Sequence, residues 1–218
     1  MEDFINNFQE LIQIYSSIKG KIISRLQEFK DNWEKGSDLE IFAELVFCLL
    51  TPQSKAKVCW ETVKKIKNKS LLFSNNKEVL SKEIHPVRFK NKKAEYIIKA
   101  KEAFYINNKF SIKNIIKSFS DNISLRMFFV NKIKGIGLKE ASHFLRNIGF
   151  GQNIAILDRH ILKNLVKYNI IDKIPETLTE KRYFEIENKM RFFSEKVCIK
   201  MEHLDFVLWY KETGEVFK

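Results

Sequence analysis

Residues that interrupt helices are scarce in this sequence. Its 218 residues include only 7 glycines and 3 prolines. Both residue types destabilise a helix interior, so their scarcity favours a helical protein. Apolar residues recur with helical period along the chain, strand-like alternation is hard to find, and the asparagine- and lysine-rich stretches near 75–77 and 107–109 are predicted to connect helices. We therefore predict an all-α fold, with two helical lobes flanking a substrate cleft.

Cysteine is also rare, with Cys48, Cys59 and Cys198 the three examples. The set is odd in number, widely spaced and free of Cys-x-x-Cys pairs. This pattern argues against a disulfide framework and against a four-cysteine metal or iron–sulfur site. We expect no metal, no cofactor and a reducing cytoplasm as the location.

The sequence shows no pattern of a signal peptide or a membrane span. It begins Met-Glu-Asp-Phe, with acids where a signal peptide needs positive charge. No apolar run approaches the roughly 18 residues that cross a bilayer. With 44% apolar content, 218 residues can bury one large core or two small ones. We expect no membrane partner.

Positive charge is in excess. Lysine and arginine number 39 against 27 acidic residues, and the net charge of +12 attracts a polyanion such as DNA, although membranes and acidic proteins attract such a chain too. Two basic stretches, the second interleaved with aromatic residues, are candidate phosphate-contact surfaces. Their basic residues are Lys55, Lys57, Lys64, Lys65, Lys67 and Lys69 in the first, and Arg88, Lys90, Lys92, Lys93, Lys99 and Lys101 in the second. Each stretch by itself is also typical of a solvated helix face.

Local signals predict where several helices begin. Ser37 and Glu40 form a capping box, which predicts a helix directly after Ser37. Thr51-Pro52 reads as an N-cap followed by proline at the first helical position, and predicts a helix from about Gln53 to Lys67. An opening amphipathic helix is predicted from the spacing of Phe4, Phe8, Leu11, Ile12 and Tyr15.

The densest motif is the run Lys-Gly-Ile-Gly-Leu-Lys-Glu-Ala at residues 134–141. Gly135 and Gly137 permit a tight turn between two helices and leave backbone N–H groups open to a phosphate. The run predicts a helix-hairpin-helix, a motif that grips a nucleic-acid backbone. Lys139 falls in the first turn of the second helix, where the helix dipole disfavours a cation. We interpret this costly placement as the mark of a candidate nucleophile.

Asp158 is the second candidate catalytic residue. It follows the apolar run 154–157 and precedes a helical stripe formed by Ile161, Leu162, Leu165 and Val166. This position predicts a helix N-cap, a role that aspartate fills without any catalytic duty. Asp158 also lies 19 residues after the hairpin lysine.

A hairpin lysine followed by a capping aspartate at this interval resembles the helix-hairpin-helix DNA glycosylases of base-excision repair. Residues 129–160 resemble, more specifically, the type-2 8-oxoguanine DNA glycosylase/lyases of archaea and some bacteria. The likeness continues in Cys-Leu-Leu-Thr at 48–51, Arg-Phe at 88–89, Lys-Ala-Glu-Tyr-Ile at 93–97, Leu-Trp-Tyr at 208–210 and Gly-Glu-Val-Phe-Lys at 214–218. Two departures stand out. Ile156-Leu157 replaces the Gly-Pro that usually precedes the aspartate, and Pro52-Gln53-Ser54 follows Thr51 where many members carry Ala-Asn.

The resemblance implies a bifunctional glycosylase/AP lyase that acts as a monomer on double-stranded DNA containing 8-oxoguanine, at the nucleoid of a prokaryotic cytoplasm. Lys139 would attack the sugar C1′ of a flipped nucleotide, and Asp158 would accept a proton or offset positive charge. The resemblance also implies that Phe89 and Trp209 stack on the flipped base and that Lys218 recognises the lesion. Gln53 would fill the gap that the flipped base leaves in the duplex. Contacts with the DNA are implied for Gly135, Gly137 and His160.

We assign approximate lobe boundaries on the same basis. Residues 1–30 and 126–218 form the lobe that carries the helix-hairpin-helix, at about 125–149, and the capping aspartate. Residues 31–125 form the other lobe.

Two alternatives stay open. The first is a glycosylase of the same superfamily for another oxidised base, such as a pyrimidine, although many of those enzymes carry a cysteine cluster that this chain lacks. The second is a non-enzymatic DNA-binding protein, in which Lys139 is one more phosphate contact. The interval from Lys139 to Asp158 argues against the second alternative.

Overall fold

Helices make up nearly all of the regular structure in the computed structural model, which describes the backbone of residues 2–218 and the side chains of residues 8–218. The all-α prediction is confirmed. The helices are α1 Glu2–Lys35, α2 Asp38–Leu50, α3 Ala56–Asn68, α4 Lys77–Glu83, α5 Lys90–Glu102, α6 Ile112–Lys117, α7 Asn122–Lys132, α8 Leu138–Asn147, α9 Arg159–Lys167, α10 Glu180–Lys196 and α11 Met201–Thr213, with a 3-10 turn at Leu71–Phe73.

One short hairpin departs from the helical pattern. Strands β1 (Tyr105–Ile106) and β2 (Lys109–Phe110) pair antiparallel. Asn107 and Asn108, which join them, have positive φ angles of 49° and 62°. Two consecutive residues in this conformation form the tight turn that suits a two-residue β-hairpin, and asparagine tolerates it well. The connector predicted near residue 107 is therefore a hairpin rather than a plain loop.

The described residues form two compact units. The terminal unit contains the residues up to Lys30 together with Gly149–Lys218, and the central unit contains Asp31–Ile148. Within the central unit, α8 packs against α7 and against α2. These contacts group the helix-hairpin-helix with residues 31–125, whereas the sequence assigned residues 126–148 to the other lobe.

The core of the central unit forms around α2, whose residues from Ile41 to Leu50 are all buried. The predicted capping box starts this helix: the Ser37 backbone N–H donates to the Glu40 carboxylate at 2.8 Å, and the Glu40 N–H donates to Ser37 Oγ at 3.4 Å. A helix that is buried on all sides must be surrounded by other elements. Phe144 on α8 stacks edge-on against Phe129 on α7, at 4.7 Å between ring centroids.

The core of the terminal unit joins α1 to the last helices. Phe29 on α1 stacks with Phe206 on α11 at 6.4 Å between centroids. The predicted opening helix is present, and Leu11 is fully buried, but Ile12 is 45% exposed and so lies off the buried stripe. The side chain of Phe4, which the prediction also used, lies outside the described side chains.

Candidate active site

The turn of the helix-hairpin-helix depends on one glycine. It runs from Ile133 to Gly137, between α7 and α8. Gly135 has φ +93°, and a Cβ atom there would collide with the ring of Tyr96. Gly137 has φ −103°, an extended conformation open to any residue. The freedom of glycine that the sequence offered at both positions is therefore used at Gly135, whereas the conformation of Gly137 does not require it.

Lys139 is the second residue of α8, so its predicted place in the first turn is confirmed. Its side chain is 26% exposed, and its Nζ lies 2.8 Å from Glu140 Oε1. The other carboxylate oxygen of Glu140 accepts a hydrogen bond from the Gly137 N–H at 3.3 Å. A glutamate at this position of a helix often caps the backbone in this way. Glu140 therefore pairs with the candidate nucleophile and accepts a hydrogen bond from one of the N–H groups predicted to meet a phosphate.

Sequence reasoning missed the role of Glu140. The signal was present, because an acidic residue three positions after the residue preceding a helix is the second half of a capping box. Gly137 has no side chain to provide the first half, so the interaction runs in one direction only.

Asp158 is the N-cap of α9, as predicted. Its Oδ1 accepts the Ile161 N–H at 2.8 Å. Side chains of α10 fix the extended segment before it: Glu187 accepts the Ala155 N–H at 2.7 Å, and the Tyr183 hydroxyl donates to the Ala155 carbonyl at 2.6 Å. These buried contacts hold the backbone leading into Asp158 in one conformation.

Three further residues predicted for the site belong to the terminal unit, and two of them touch. The rings of His160 and Trp209 pack edge-on, with 5.0 Å between their centroids. His160 Nδ1 also lies 3.7 Å from Glu212, whose pKa is lowered chiefly by a hydrogen bond from Lys163.

Lys218 contacts a different part of that unit. Its Nζ lies 5.8 Å from the ring centroid of Phe29, at the distance of a cation–π contact. Phe29 is itself only 3% exposed, so the ring presented to the ammonium is anchored in the core.

The predicted helix start at Thr51-Pro52 is wrong. The Thr51 N–H donates to the Phe47 carbonyl, so Thr51 ends α2, and α3 begins only at Ala56. The residues between form a turn in which Gln53 is exposed with φ +55°. Pro52 therefore lies in this turn and not at the first position of a helix.

Phe89 lies in a similar turn. It precedes α5 with φ +59°, and its side chain is 51% exposed. The guanidinium of Arg88 lies 5.4 Å from the Phe89 ring centroid. An exposed aromatic ring beside a cation suits stacking on a base, and single exposed rings also occur without function.

Several lysines of the two basic stretches are less available to contact a phosphate than the sequence suggests. Lys65 and Lys69 pair with Glu83 at 2.9 and 2.8 Å, and these contacts lower the pKa of Glu83 to about 2. In the second stretch Lys93 and Lys101 are 3% and 4% exposed. Their interpretation as phosphate contacts is wrong, because both ammonium groups are buried against backbone carbonyls.

The structure thus gathers the predicted site residues in two sets. Five of the predicted site residues lie in the central unit: Gln53, Phe89, Gly135, Gly137 and Lys139. The other four lie in the terminal unit: Asp158, His160, Trp209 and Lys218.

Among the described residues, no group of three or more histidine, cysteine and acidic side chains is placed to hold a metal ion. None of the helices in the described part of the chain is long and apolar enough to cross a membrane.

The family follows from a comparison with known proteins. A family model described as 8-oxoguanine DNA glycosylase matches residues 22–199, which include the hairpin, Lys139 and Asp158. The chain belongs to this family. The resemblance found from the motifs is confirmed, and it extends through both units.

Named proteins match this chain over nearly all of its residues. It is 46% identical over 211 residues to a Fusobacterium nucleatum protein named 8-oxoguanine DNA glycosylase/AP lyase, with 97% of each chain covered. A Methanocaldococcus jannaschii protein of the same name is 42% identical over 205 residues, which cover 93% of this chain and 94% of that one.

Solved structures agree with the sequence relatives. The M. jannaschii 8-oxoguanine glycosylase/lyase in complex with a 15mer DNA containing 8-oxoguanine superposes with a TM-score of 0.88 and 39% identity, covering 97% of this chain and 99% of that one. The 8-oxoguanine DNA glycosylase of Thermotoga maritima gives 0.86 and 33%, covering 99% and 100%. A 3-methyladenine DNA glycosylase of H. pylori, at 0.62 and 14% identity, shares the fold.

Proposed function

We propose that this protein removes 8-oxoguanine from double-stranded DNA and then cleaves the strand, as a bifunctional DNA glycosylase/AP lyase. The observation that carries this function is a lysine in the first turn of α8, directly after the hairpin turn, in a chain similar over 97% of its length to a protein named glycosylase/AP lyase. A monofunctional glycosylase needs no amine at this place. The net charge of +12 supports DNA as the partner.

Lys139 performs the covalent step. After the damaged nucleotide is flipped out of the duplex, the neutral amine forms a bond to C1′ while the glycosidic bond breaks and the base leaves with a proton. The sugar opens to an imine with Lys139, which makes a proton on C2′ acidic. Loss of this C2′ proton expels the 3′ phosphate by β-elimination. Before attack, Nζ must give up its contact with Glu140, 2.8 Å away.

Asp158 assists in one of two ways. Its carboxylate accepts the proton that Lys139 loses, or it offsets the positive charge that grows on the sugar. Both roles are compatible with its N-cap hydrogen bond, because an aspartate caps a helix as a charged carboxylate, which is the state from which each role begins.

The other site residues bind the DNA around the reaction. Phe89 and Trp209 stack on the flipped base, and Lys218 recognises the lesion. Gln53, exposed on its turn, fills the space that the base leaves. Backbone N–H groups of the hairpin and the imidazole of His160 contact phosphates. We assign a monomer as the acting species and the nucleoid as its location.

Borohydride trapping tests this function. Incubated with a duplex containing 8-oxoguanine, the protein should form a covalent complex on reduction, because only an imine is trapped. Lys139→Gln should abolish trapping and base release while keeping the fold and much of the DNA affinity. Its free energy of unfolding should change by less than about 1 kcal/mol, since a cation near a helix N-terminus contributes little.

Lys134→Gln is the matched control. Lys134 lies within the hairpin turn itself, with 58% of its side chain exposed and its Nζ 3.5 Å from Glu95. This variant should trap as the parent does. Robust trapping by Lys139→Gln would assign the chemistry to another amine, and absence of trapping by the parent would favour a non-enzymatic DNA-binding protein.

A further inference from the structure

A buried lysine, Lys93, lies beside two exposed turns, those of Gln53 and Phe89. Lys93 on α5 is 3% exposed, and its ammonium makes three hydrogen bonds. It donates to the Leu50 carbonyl and the Pro52 carbonyl, each at 2.7 Å, and to Ser54 Oγ at 3.2 Å. An ammonium group has three N–H donors, so each one is used. Leu50 ends α2, and the other two acceptors lie in the turn that follows it.

This placement is costly for the fold. Burial lowers the pKa of Lys93, and the positive charges of Lys139 and Arg88 act in the same direction. A buried charge is tolerated only where it gains strong polar contacts. The three acceptors supply them, and the lysine in turn fixes the backbone that carries them.

The first turn held in this way carries Gln53. The last turn of α2, Phe47–Leu50, has no basic residue of its own, although a cation is favourable at a helix C-terminus. Lys93 supplies that cation from another helix. Cys59 adds a second contact, because its Sγ donates to the same Leu50 carbonyl at 3.1 Å, and burial raises the pKa of this thiol to about 11.

The second turn is tied to the first through Ser54. The Arg88 N–H donates to Ser54 Oγ at 3.1 Å, and Phe89 is the next residue. Gln53 and Phe89 are both exposed and both adopt positive φ, at 55° and 59°. Positive φ carries a conformational cost for glutamine and phenylalanine, which the surroundings must offset. Lys93 and Ser54 provide that constraint for both turns at once.

We propose that Lys93 is a positioning residue, which holds the turns of Gln53 and Phe89 in the geometry that opens the duplex and receives the flipped base. The inference rests on the proposed function. It separates two steps of the reaction: Lys93 serves base extrusion, whereas the imine chemistry belongs to Lys139. Lys93 therefore matters when a base must be extracted, and much less when the base is already absent.

A matched pair of variants on α5 tests this role. Lys101 is also a buried lysine of α5, 4% exposed, with its ammonium bound to the Phe73 carbonyl at 3.0 Å and to Asn75 Oδ1. Its acceptors lie outside the two turns. Lys93→Met and Lys101→Met remove the same group from similar surroundings, so a general cost of losing a buried ammonium is common to both variants.

Single-turnover assays on two substrates give the expected difference. Lys93→Met should slow 8-oxoguanine release by about tenfold or more, because displacement of a positioning group by about 1 Å has large effects on rate. Cleavage at a pre-formed abasic site, which needs Lys139 but no base extraction, should stay within about threefold of the parent. Lys101→Met should leave both rates within the same threefold range.

Ser54→Ala keeps the proposal testable if Lys93→Met fails to fold. It leaves both carbonyl contacts of Lys93 and removes the link to Arg88, so it should slow release of 8-oxoguanine selectively. The proposal is overturned if Lys93→Met or Ser54→Ala releases 8-oxoguanine at the parental rate, or loses abasic-site cleavage to the same extent.

Fluorescence of 2-aminopurine beside the target base separates this inference from the proposed function. It reports base extrusion on binding, whether or not the base is released. A parent that distorts the duplex but releases no 8-oxoguanine would contradict the proposed function alone. A Lys93→Met signal equal to that of the parent would contradict the role of Lys93 alone.

Discussion

The two proposed catalytic residues both lie at the N-terminal end of a helix and differ in what they contribute to the fold. Lys139 lies in the first turn of α8, where the helix dipole disfavours a cation, and Glu140 at 2.8 Å offsets that cost. Asp158 caps α9, where the dipole favours an anion and its Oδ1 accepts the Ile161 N–H. The lysine contributes little to stability, and the aspartate contributes directly.

This difference decides how each residue must be replaced. A variant at position 139 changes chemistry with almost no change in the fold, so lost activity can be attributed to the amine. At position 158, a truncating replacement removes a cap and a carboxylate together. Asparagine keeps the capping oxygen and removes only the charge and the basicity, and alanine removes all three.

After the complete loss of base release expected for Lys139→Gln, the largest effect is expected from Asp158→Asn. Its base-release rate should fall by roughly two to four orders of magnitude, because a proton acceptor and a negative charge are lost beside the sugar. Its free energy of unfolding should stay close to the parental value. Single-turnover kinetics and urea denaturation of the same preparation measure the two quantities.

Asp158→Ala sharpens that comparison. It should be as slow as the asparagine variant and, in addition, less stable by about 0.5–2 kcal/mol, the cost of losing an N-cap. Parental turnover by Asp158→Asn would reduce Asp158 to a structural cap. Equal stability of the two variants would instead remove its structural role.

The next effect concerns the turn that presents Lys139. Gly135→Ala should destabilise the protein by about 2–4 kcal/mol, because it forces alanine into a left-handed conformation and pushes its Cβ into Tyr96. It should also weaken DNA binding. Denaturation curves and binding to an undamaged duplex measure the two losses.

Gly137→Ala is the control for the turn. Residue 137 has φ −103°, and the nearest atom to an added Cβ is Glu140 Oε2 at 3.3 Å, the end of a flexible side chain. The cost should stay within about 1 kcal/mol. Equal destabilisation by both variants would show that the hairpin needs glycine at each position for a reason other than φ.

The features predicted correctly from the sequence are those fixed by near neighbours along the chain. The hairpin, the caps at Ser37 and Asp158, and the place of Lys139 each depend on contacts within about four residues. Their residue types therefore carry the information themselves, and the family resemblance rests on the same runs.

The features that were missed depend on distant residues. The turn at Gln53 is held by Lys93, 43 residues from Leu50 along the chain, so Thr51-Pro52 looked like a helix start. The sequence predicts a surface position for Lys93 and Lys101, because lysine is rarely buried. Their spacing with Ala94 and Ile97 on the apolar stripe of α5 was the available signal.

The smallest effect is expected at Lys218, which is held by a distant ring rather than by local backbone signals. Its ammonium lies 5.8 Å from the centroid of Phe29, a contact worth about 0.5–1 kcal/mol at an exposed site. Lys218→Met keeps the length of the side chain and removes its charge. Melting temperature should therefore change little, whereas release of 8-oxoguanine should fall relative to cleavage of a pre-formed abasic site, which needs Lys139 but no base recognition. Equal rates to the parent on both substrates would leave Lys218 with a structural role and contradict its role in recognition.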